Sequence, residues 1–363
     1  MAKVTTAYIG LGSNLGERES WINKALKLLA ETEAIEAARV SDIIETVSLT
    51  GTDQPDYLNG VAEIKTSLSV EALHNRLADI ESKLGRVNRE KWAPRIIDLD
   101  LLLFGDEVVR QGGLTVPHPQ MHLRTFVLKG LCQLNAELPH PVMKESMGEL
   151  AARLGGADFV LDSEKPQLVS IAGIIGVGKT TLTKRLSKHF DCKGLLEPYD
   201  ANPFMPDVYA GRKDLALDSQ LYFLTHRTTQ LNITTLPRGQ IAFSDYVFDK
   251  ELIYARRLLD SEQLSLYERI YPAFAAKVSD PVLVVYLTDE IERCLQRIHV
   301  RNRSYEQQIQ PQFLQDLDCD YQQLFSGWKT CPVIRKQMSE LDCSQDADIE
   351  QLANQIKCYV TQD

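Results

Sequence analysis

The chain has 363 residues, 44% of them apolar and 25% charged, which suits two ordinary domains and excludes a disordered or fibrous protein. The net charge of −10 divides into −6 over residues 1–162 and −4 over the remainder. Neither half carries a basic field suited to nucleic acid, so small anionic substrates must be held by local Arg and Lys clusters. Seven cysteines, an odd number with no C-x-x-C pair, indicate neither a disulfide framework nor a zinc site. The N-terminus MAKVTTAYIG does not resemble a signal peptide and no apolar run reaches membrane-spanning length, so a reduced, cytoplasmic protein without membrane contact is expected.

The first half opens on a strand-like stretch, Val4 to Leu11, followed by a Gly-Ser-Asn-Leu-Gly turn. A helix from about Glu19 places Trp21, Ala25, Leu28 and Leu29 on one face. A second helix carries Leu73, Leu77, Ile80 and Leu84 at the same spacing and ends at Gly85. Strands are expected at Val40 to Val47, Gly60 to Thr66 and Ile96 to Phe104. This alternation predicts an α+β sandwich with helices on a mostly antiparallel sheet.

Asp98 and Asp100 fall two apart in the strand-like run IIDLDLLLF, so both point to one face with Leu99 opposite. Two such carboxylates repel unless a cation neutralises them, and hard oxygen ligands of this kind suit Mg²⁺ with phosphate completing its shell. An exposed strand face with two solvated acids is the plain alternative. Arg86, Arg89, Lys91 and Arg95 in GRVNREKWAPR supply cations beside the pair, the combination a polyphosphate site requires.

KWAPRIIDLDLLLFG resembles the signature of the 6-hydroxymethyl-7,8-dihydropterin pyrophosphokinases of the folate pathway. AYIGLGSNLG, DQPDYLNG at 53–60 and VPHPQMHLRTFVL at 116–128 extend the likeness over about residues 4–155. The resemblance implies a ferredoxin-like α+β sandwich in which Asp98 and Asp100 hold two Mg²⁺ between ATP and the pterin hydroxymethyl group. By the same resemblance Arg86 and Arg95 are catalytic contacts to the phosphates, Trp92 sits on a mobile loop and His118 lies near ATP. Asn59 and the backbone near Thr46 and Leu49 read the pterin edge, while Tyr57 and Phe126 flank its ring; as sequence alone, simple core aromatics are the plain alternative for both. Val47 stands where proline is frequent, and the Arg86–Arg95 segment is one residue shorter than in some members.

The segment 159–167 reads as a linker between domains at 1–158 and 168–363. Beyond it, β-rich runs at Leu168–Ile171, Gln240–Phe243 and Pro281–Leu287 alternate with long helical stretches, predicting an α/β fold with a parallel sheet and helices on both faces. Residues 173–180, GIIGVGKT, match the phosphate-cradling pattern G-x-x-x-x-G-K-[ST]. Gly173, Gly176 and Gly178 let backbone N–H groups converge on phosphate, Lys179 reaches the β/γ-phosphates, and Thr180 ligates Mg²⁺. The amphipathic run Leu182, Leu186, His189, Phe190 follows.

Glu197, at the end of the expected second strand, is placed to accept a hydroxyl proton, although a strand-end Glu before a Pro turn is an equally plain reading. Arg297 and Arg301 share a helix face at i, i+4 and, with Arg303, suit a lid that clamps a transferring phosphoryl group. At this point residues 168–363 resemble the deoxynucleoside kinases. GIIGVGKTT, Glu197-Pro198, Gln220 and Arg227 in SQLYFLTHR, Tyr209, Glu306 and the R-x-x-x-R-x-R lid stand in the family's order.

The resemblance implies that Glu197 is the base for the 5′-hydroxyl, Arg297 catalytic, and Thr181, Arg301 and Arg303 ATP-binding. It gives Gln220 and Arg227 the nucleobase edge, Tyr209 and Glu306 the sugar 3′-hydroxyl, and Thr180 with Asp245 the metal. A homodimer through this domain is the family habit. Ser244-Asp245-Tyr246 departs from the usual Arg-containing motif, which disfavours a phosphorylated acceptor of the thymidylate kinase type. The expected whole is a bifunctional enzyme acting on ATP, a hydroxymethylpterin and a deoxynucleoside, by resemblance a purine one. A rival makes the second domain a nucleotide-sensing or dimerising module.

Overall fold

The computed structural model describes residues 4–49, 54–86 and 93–361, with only the backbone of residues 37 and 38. The chain divides into two units, Met1–Val160 and Leu161–Asp363.

In the first unit the elements run β1 (Thr5–Ser13), α1 (Arg18–Ala30), β2 (Ile35–Val40), β3 (Ile44–Thr46), β4 (Tyr57–Thr66), α2 (Val70–Lys83) and β5 (Asp98–Phe104). They continue through a short hairpin, β6 (Val109–Gln111) and β7 (Leu114–Val116), to α3 (Thr125–Asn135) and α4 (Met147–Arg153). The main sheet is antiparallel in the order β2-β4-β1-β5, with β3 also on β4. Alternation along β1 sends Ala7, Ile9 and Leu11 to the α1/α2 face, where they meet Ile22, Ala25, Leu29, Leu73, Leu77 and Ile80. On α1 it is Ile22, not Trp21, that is fully buried beside Ala25 and Leu29. On the other face α3 lies close: a Cβ on Gly130 would come within 2.6 Å of Val61 Cγ2.

The single strand expected over Val40–Val47 is two strands. At Ser41 the backbone N–H still donates to Val61 O, while the Ser41 hydroxyl accepts from Val61 N. The side chain thus takes over a ladder bond, and β3 restarts further along β4. Strand β5 begins at Asp98 rather than Ile96.

The second unit contains β8 (Gln167–Ala172), α5 (Lys179–His189), β9 (Lys193–Leu195), α6 (Met205–Tyr209), α7 (Ala216–Gln230), β10 (Ile241–Ser244), α8 (Lys250–Leu258) and α9 (Ser261–Ala275). After these come β11 (Leu283–Thr288), α10 (Ile291–Arg301), α11 (Pro311–Ser326), β12 (Val333–Gln337) and α12 (Asp346–Ile356). The sheet order is β12-β11-β8-β10-β9, every pairing parallel. All six residues of the central β8 are buried, as a parallel strand covered on both faces requires. Leu168, Leu195 and Ala242 pack with α7, α8 and α9, and α5 contacts β8, β9 and β10 along with α12. The two units therefore have the α+β and parallel α/β architectures expected of them. Among the described residues no helix is long and apolar enough to cross a membrane.

Candidate functional sites

In the first unit Asp98 and Asp100 lie opposite Gly12 and Gly10 of β1, on the face away from the α1/α2 core. The glycines keep the sheet bare beside the carboxylates. A Cβ on Gly12 would stand 3.1 Å from Asn59 Oδ1 and 3.6 Å from Asp98 Cβ. The cleft so formed, about 250 Å³, is lined by Thr46, Leu49, Tyr57, Asn59, Arg95, Asp98, Asp100, His118, Arg124 and Phe126, among others. That volume suits a small flat ligand held by a few polar groups. Asn59 Nδ2 donates to Thr46 Oγ1 at 2.7 Å, which fixes the amide at the cleft wall.

Charge is dense at the metal-binding candidates. Arg86 Nη1 and Arg95 Nη1 donate to the two oxygens of Asp98, each at 2.7 Å. Arg124 Nη1 stands 3.7 Å and His118 Nε2 4.0 Å from Asp100 Oδ2. Burial and the neighbouring Asp100 push the Asp98 carboxyl upward, against Arg95 and Arg86. Burial followed by Arg124 pulls His118 down to about 4, so its imidazole is neutral. No group of three potential metal ligands occurs among the described residues. Two adjacent carboxylates fit a hard divalent cation that takes most of its shell from water and phosphate, and not a closed protein cage. The Nε atoms of Arg95 and Arg124 are buried without a partner, which leaves donors for an anion.

Three residues of this site were not singled out from the sequence. Glu81, on α2, accepts from Leu99 N at 2.7 Å and from Arg86, and burial raises its carboxyl to about 7. In the sequence it reads as one more polar residue on an amphipathic helix. Asn14 accepts from Arg95 N at 2.6 Å and donates to Pro55 O at 3.2 Å, tying the segment before β5 that carries Arg95 to the turn after β1. Arg124 is the third. Arg89, Lys91 and Trp92 lie outside the described residues.

In the second unit Gly173, Gly176 and Gly178 take φ of 139°, 81° and 111°, the left-handed region in which glycine is the unstrained choice. Lys179, at the start of α5, is 8% exposed and its Nζ donates to Ile174 O at 2.7 Å across the loop. Thr180 Oγ1 donates to Asp245 Oδ2 at 2.6 Å, and Glu197 N donates to Asp245 Oδ1 at 2.8 Å. The ends of β9 and β10 are thus stitched to the P-loop helix. A cleft above is lined by Gly176, Gly178, Lys179, Thr180, Thr181, Tyr199, Arg297, Arg301 and Glu306. Thr180 and Asp245 form a hydroxyl–carboxylate pair of the kind that suits a divalent cation bound chiefly through phosphate.

The arginines expected to form a lid are held by acids. Arg297 pairs with Asp289 at 2.6 Å and donates to Gly176 O at 3.3 Å. Arg301 Nε donates to Glu306 at 3.0 Å, and Arg303 reaches both Glu306 and Asp200. Beneath the cleft Glu197 is bonded by Arg227 and, at 2.6 Å, by Lys250 Nζ. Burial raises the Glu197 carboxyl, but Arg227 and Lys250 outweigh it and hold it at about 2. Both Nη groups of Arg227, expected at a nucleobase, are engaged with Glu197 and Glu251 here. Its Nε and the Oε1 of Gln220 are buried without partners. Tyr209 stacks obliquely on Tyr305, ring centres 5.6 Å apart, and does not line the cleft. Lys250 and Glu251, which complete this network, were not singled out from the sequence; a Lys-Glu pair opening a helix reads as solvated.

Residues 8–136 match the family model described as 7,8-dihydro-6-hydroxymethylpterin-pyrophosphokinase, and residues 169–361 match the deoxynucleoside kinase model. The 2-amino-4-hydroxy-6-hydroxymethyldihydropteridine pyrophosphokinase of Bacillus subtilis is 44% identical over 140 residues, 39% of this chain and 81% of that protein. The protein of the same name from Aquifex aeolicus is 38% identical over 146 residues, 40% of this chain and 90% of its own. A solved structure of deoxyadenosine kinase from M. mycoides with bound dATP is similar over 52% of this chain and 98% of its own, at 23% identity and a TM-score of 0.45. The chain belongs to both families, a hydroxymethyldihydropterin pyrophosphokinase domain followed by a deoxynucleoside kinase domain.

Proposed function

We propose that the chain is a bifunctional transferase with two ATP-dependent sites. In the first domain the hydroxymethyl oxygen of 6-hydroxymethyl-7,8-dihydropterin attacks the β-phosphorus of ATP. An O–P bond forms, the bond to the α-phosphate oxygen breaks, AMP leaves and the hydroxyl proton is released to water. Support comes from the Asp98/Asp100 pair facing the cleft with Arg86, Arg95 and Arg124 around it. Tyr57 and Phe126 offer the pterin ring apolar faces, and Asn59, held by Thr46, presents its amide to the edge.

In the second domain the 5′-hydroxyl of a deoxynucleoside attacks the γ-phosphorus. Glu197 takes the hydroxyl proton, the bond to the β,γ-bridging oxygen breaks, and ADP leaves. The observation that carries this reading is the fully buried carboxylate of Glu197, a residue whose backbone N–H is joined through Asp245 to Thr180 at the start of the P-loop helix. A nucleotide-binding module without catalysis has no use for such a group. Mg²⁺ at Asp98/Asp100 and at Thr180/Asp245 would neutralise phosphate charge. Lys179 and the lid arginines Arg297, Arg301 and Arg303 would gather the charge developing on the transferred group. The amide of Gln220 and the guanidinium of Arg227 suit either base class, so a purine preference rests on the family resemblance alone. A homodimer through the second domain belongs to the same reading, and sedimentation at twice the chain mass tests it.

A nucleotide-product assay tests both halves. With ATP and Mg²⁺, the hydroxymethylpterin should yield AMP, and one or more of the four deoxynucleosides should yield ADP. Glu197→Gln should cut deoxynucleoside turnover on the order of a thousandfold, the usual range for a lost general base, with ATP affinity nearly unchanged. AMP with no ADP for any nucleoside would leave the second domain a binding module.

A further inference from the structure

Lys250 opens α8 and is 1% exposed. A lysine so placed loses its proton or finds a carboxylate, because an unpaired ammonium in a dry interior is costly. Its Nζ reaches Glu197 Oε2 at 2.6 Å and Tyr199 Oη at 3.4 Å, beside the rings of Tyr254 and Tyr246 at 5.4 and 5.7 Å. Glu251, the next residue, faces Arg227 and Tyr267 instead. Two carboxylates and two cations therefore share one buried network in which Arg227 touches both acids and Lys250 touches Glu197 alone. With Arg227 divided between Glu197 and Glu251, Lys250 is the cation bonded to Glu197 alone. The segment Ser244-Asp245-Tyr246 lacks an arginine, and the cation at this strand end arrives from the first turn of the following helix.

We infer that Lys250 is a positioning residue for the phosphoryl transfer, its ammonium holding the Glu197 carboxylate aimed at the acceptor hydroxyl. This rests on the reading of Glu197 as the proton acceptor. The groups facing Glu197 are Arg227 from α7, Lys250 from α8, Tyr199 from the turn after β9, Lys179 from the P-loop and Asp245 at the end of β10. Lys250 itself faces Glu197, Arg227, Lys179 and the three tyrosines. Burial, offset by Glu197, pulls the ammonium down to about 8, so it is charged at neutral pH.

The test is steady-state phosphorylation of the preferred deoxynucleoside at neutral pH by the full chain and its Lys250→Met, Lys250→Arg and Glu197→Gln variants. Lys250→Met should lower kcat on the order of a hundredfold, with the KM for the nucleoside within about threefold. Lys250→Arg should lie within about tenfold of the parent in kcat, as the retained charge predicts. A loss carried by KM rather than kcat, or no loss at all, overturns the inference. Should Lys250→Met not fold, Lys250→Arg decides: turnover within about tenfold of the parent supports the inference, and a loss as large as that of Glu197→Gln overturns it. Active Glu197→Gln would overturn the underlying reading; inactive Glu197→Gln with unimpaired Lys250→Met would overturn the role of Lys250 alone.

Discussion

His140 is 3% exposed, and its Nδ1 accepts from the backbone N–H groups of Val142 and Met143 at 3.3 and 3.2 Å. A protonated ring would turn two donors against a third. Burial, then Arg153 and Lys144, lowers its pKa to about 4. Between pH 4 and about 6.5 the unfolded chain binds a proton that the folded one refuses, so this residue makes the first unit lose stability as pH falls through that window. The integrated effect approaches 3 kcal/mol at most. His118 acts in the same sense, whereas Glu81, with its raised pKa, acts in the opposite one. The difference between parent and His140→Gln isolates the term. Urea melts should give a shallower decline from pH 6.5 to 4 for the variant, and parallel declines would sink the assignment. Residues of this kind explain what the sequence conceals. Asp98 and Asp100 were legible because strand alternation alone puts them on one face; Glu81 and Lys250 were not, because their partners lie 18 and 53 positions away.

Helix α2 separates a structural end from a functional one. Ser69 Oγ accepts from Ala72 N at 3.2 Å and caps its N-terminus, while Glu81 in its last turn holds Leu99 N and Arg86. Ser69→Ala should cost about 1 kcal/mol and lower the Tm of the first unit by about 2–4 °C. Pyrophosphokinase turnover at 25 °C should stay within twofold, since the far turn is held by its own packing. Calorimetry alongside an AMP assay checks both, and a large loss of turnover would show that the cap sets the geometry at Glu81. Elements with strong helical periodicity, α1 and α2, and with continuous apolar runs, β8 and β11, were readable in the chain. Strand β2, IEAARV, was not: it alternates weakly and contains alanines that favour helix. Its pairing with β4 decides its conformation. Strands β9 and β12 are edge strands whose place is fixed by parallel neighbours rather than by their own composition.

At the scale of the chain, each domain has its own hydrophobic core and its own candidate site. Asp100→Asn should abolish AMP formation while deoxynucleoside phosphorylation stays within twofold, and Glu197→Gln should do the reverse. A large cross-effect in either variant would mean that the sites are coupled. Both architectures and the order of the domains were visible in the sequence because each rests on motifs local in the chain. The three arginines proposed as a lid were visible, but not their seat. A Cβ on Gly176 would come 2.5 Å from the carbonyl oxygen of Cys294 on α10, and Arg297 reaches back to Gly176 O. The P-loop and α10 are thus a single fitted joint made from two pieces of chain 118 positions apart. A chimaera that takes one piece from a homologue and the other from this protein would mate surfaces shaped for different partners. Segment exchange should therefore succeed when residues 173–301 travel together, and lose activity when the crossover falls between them.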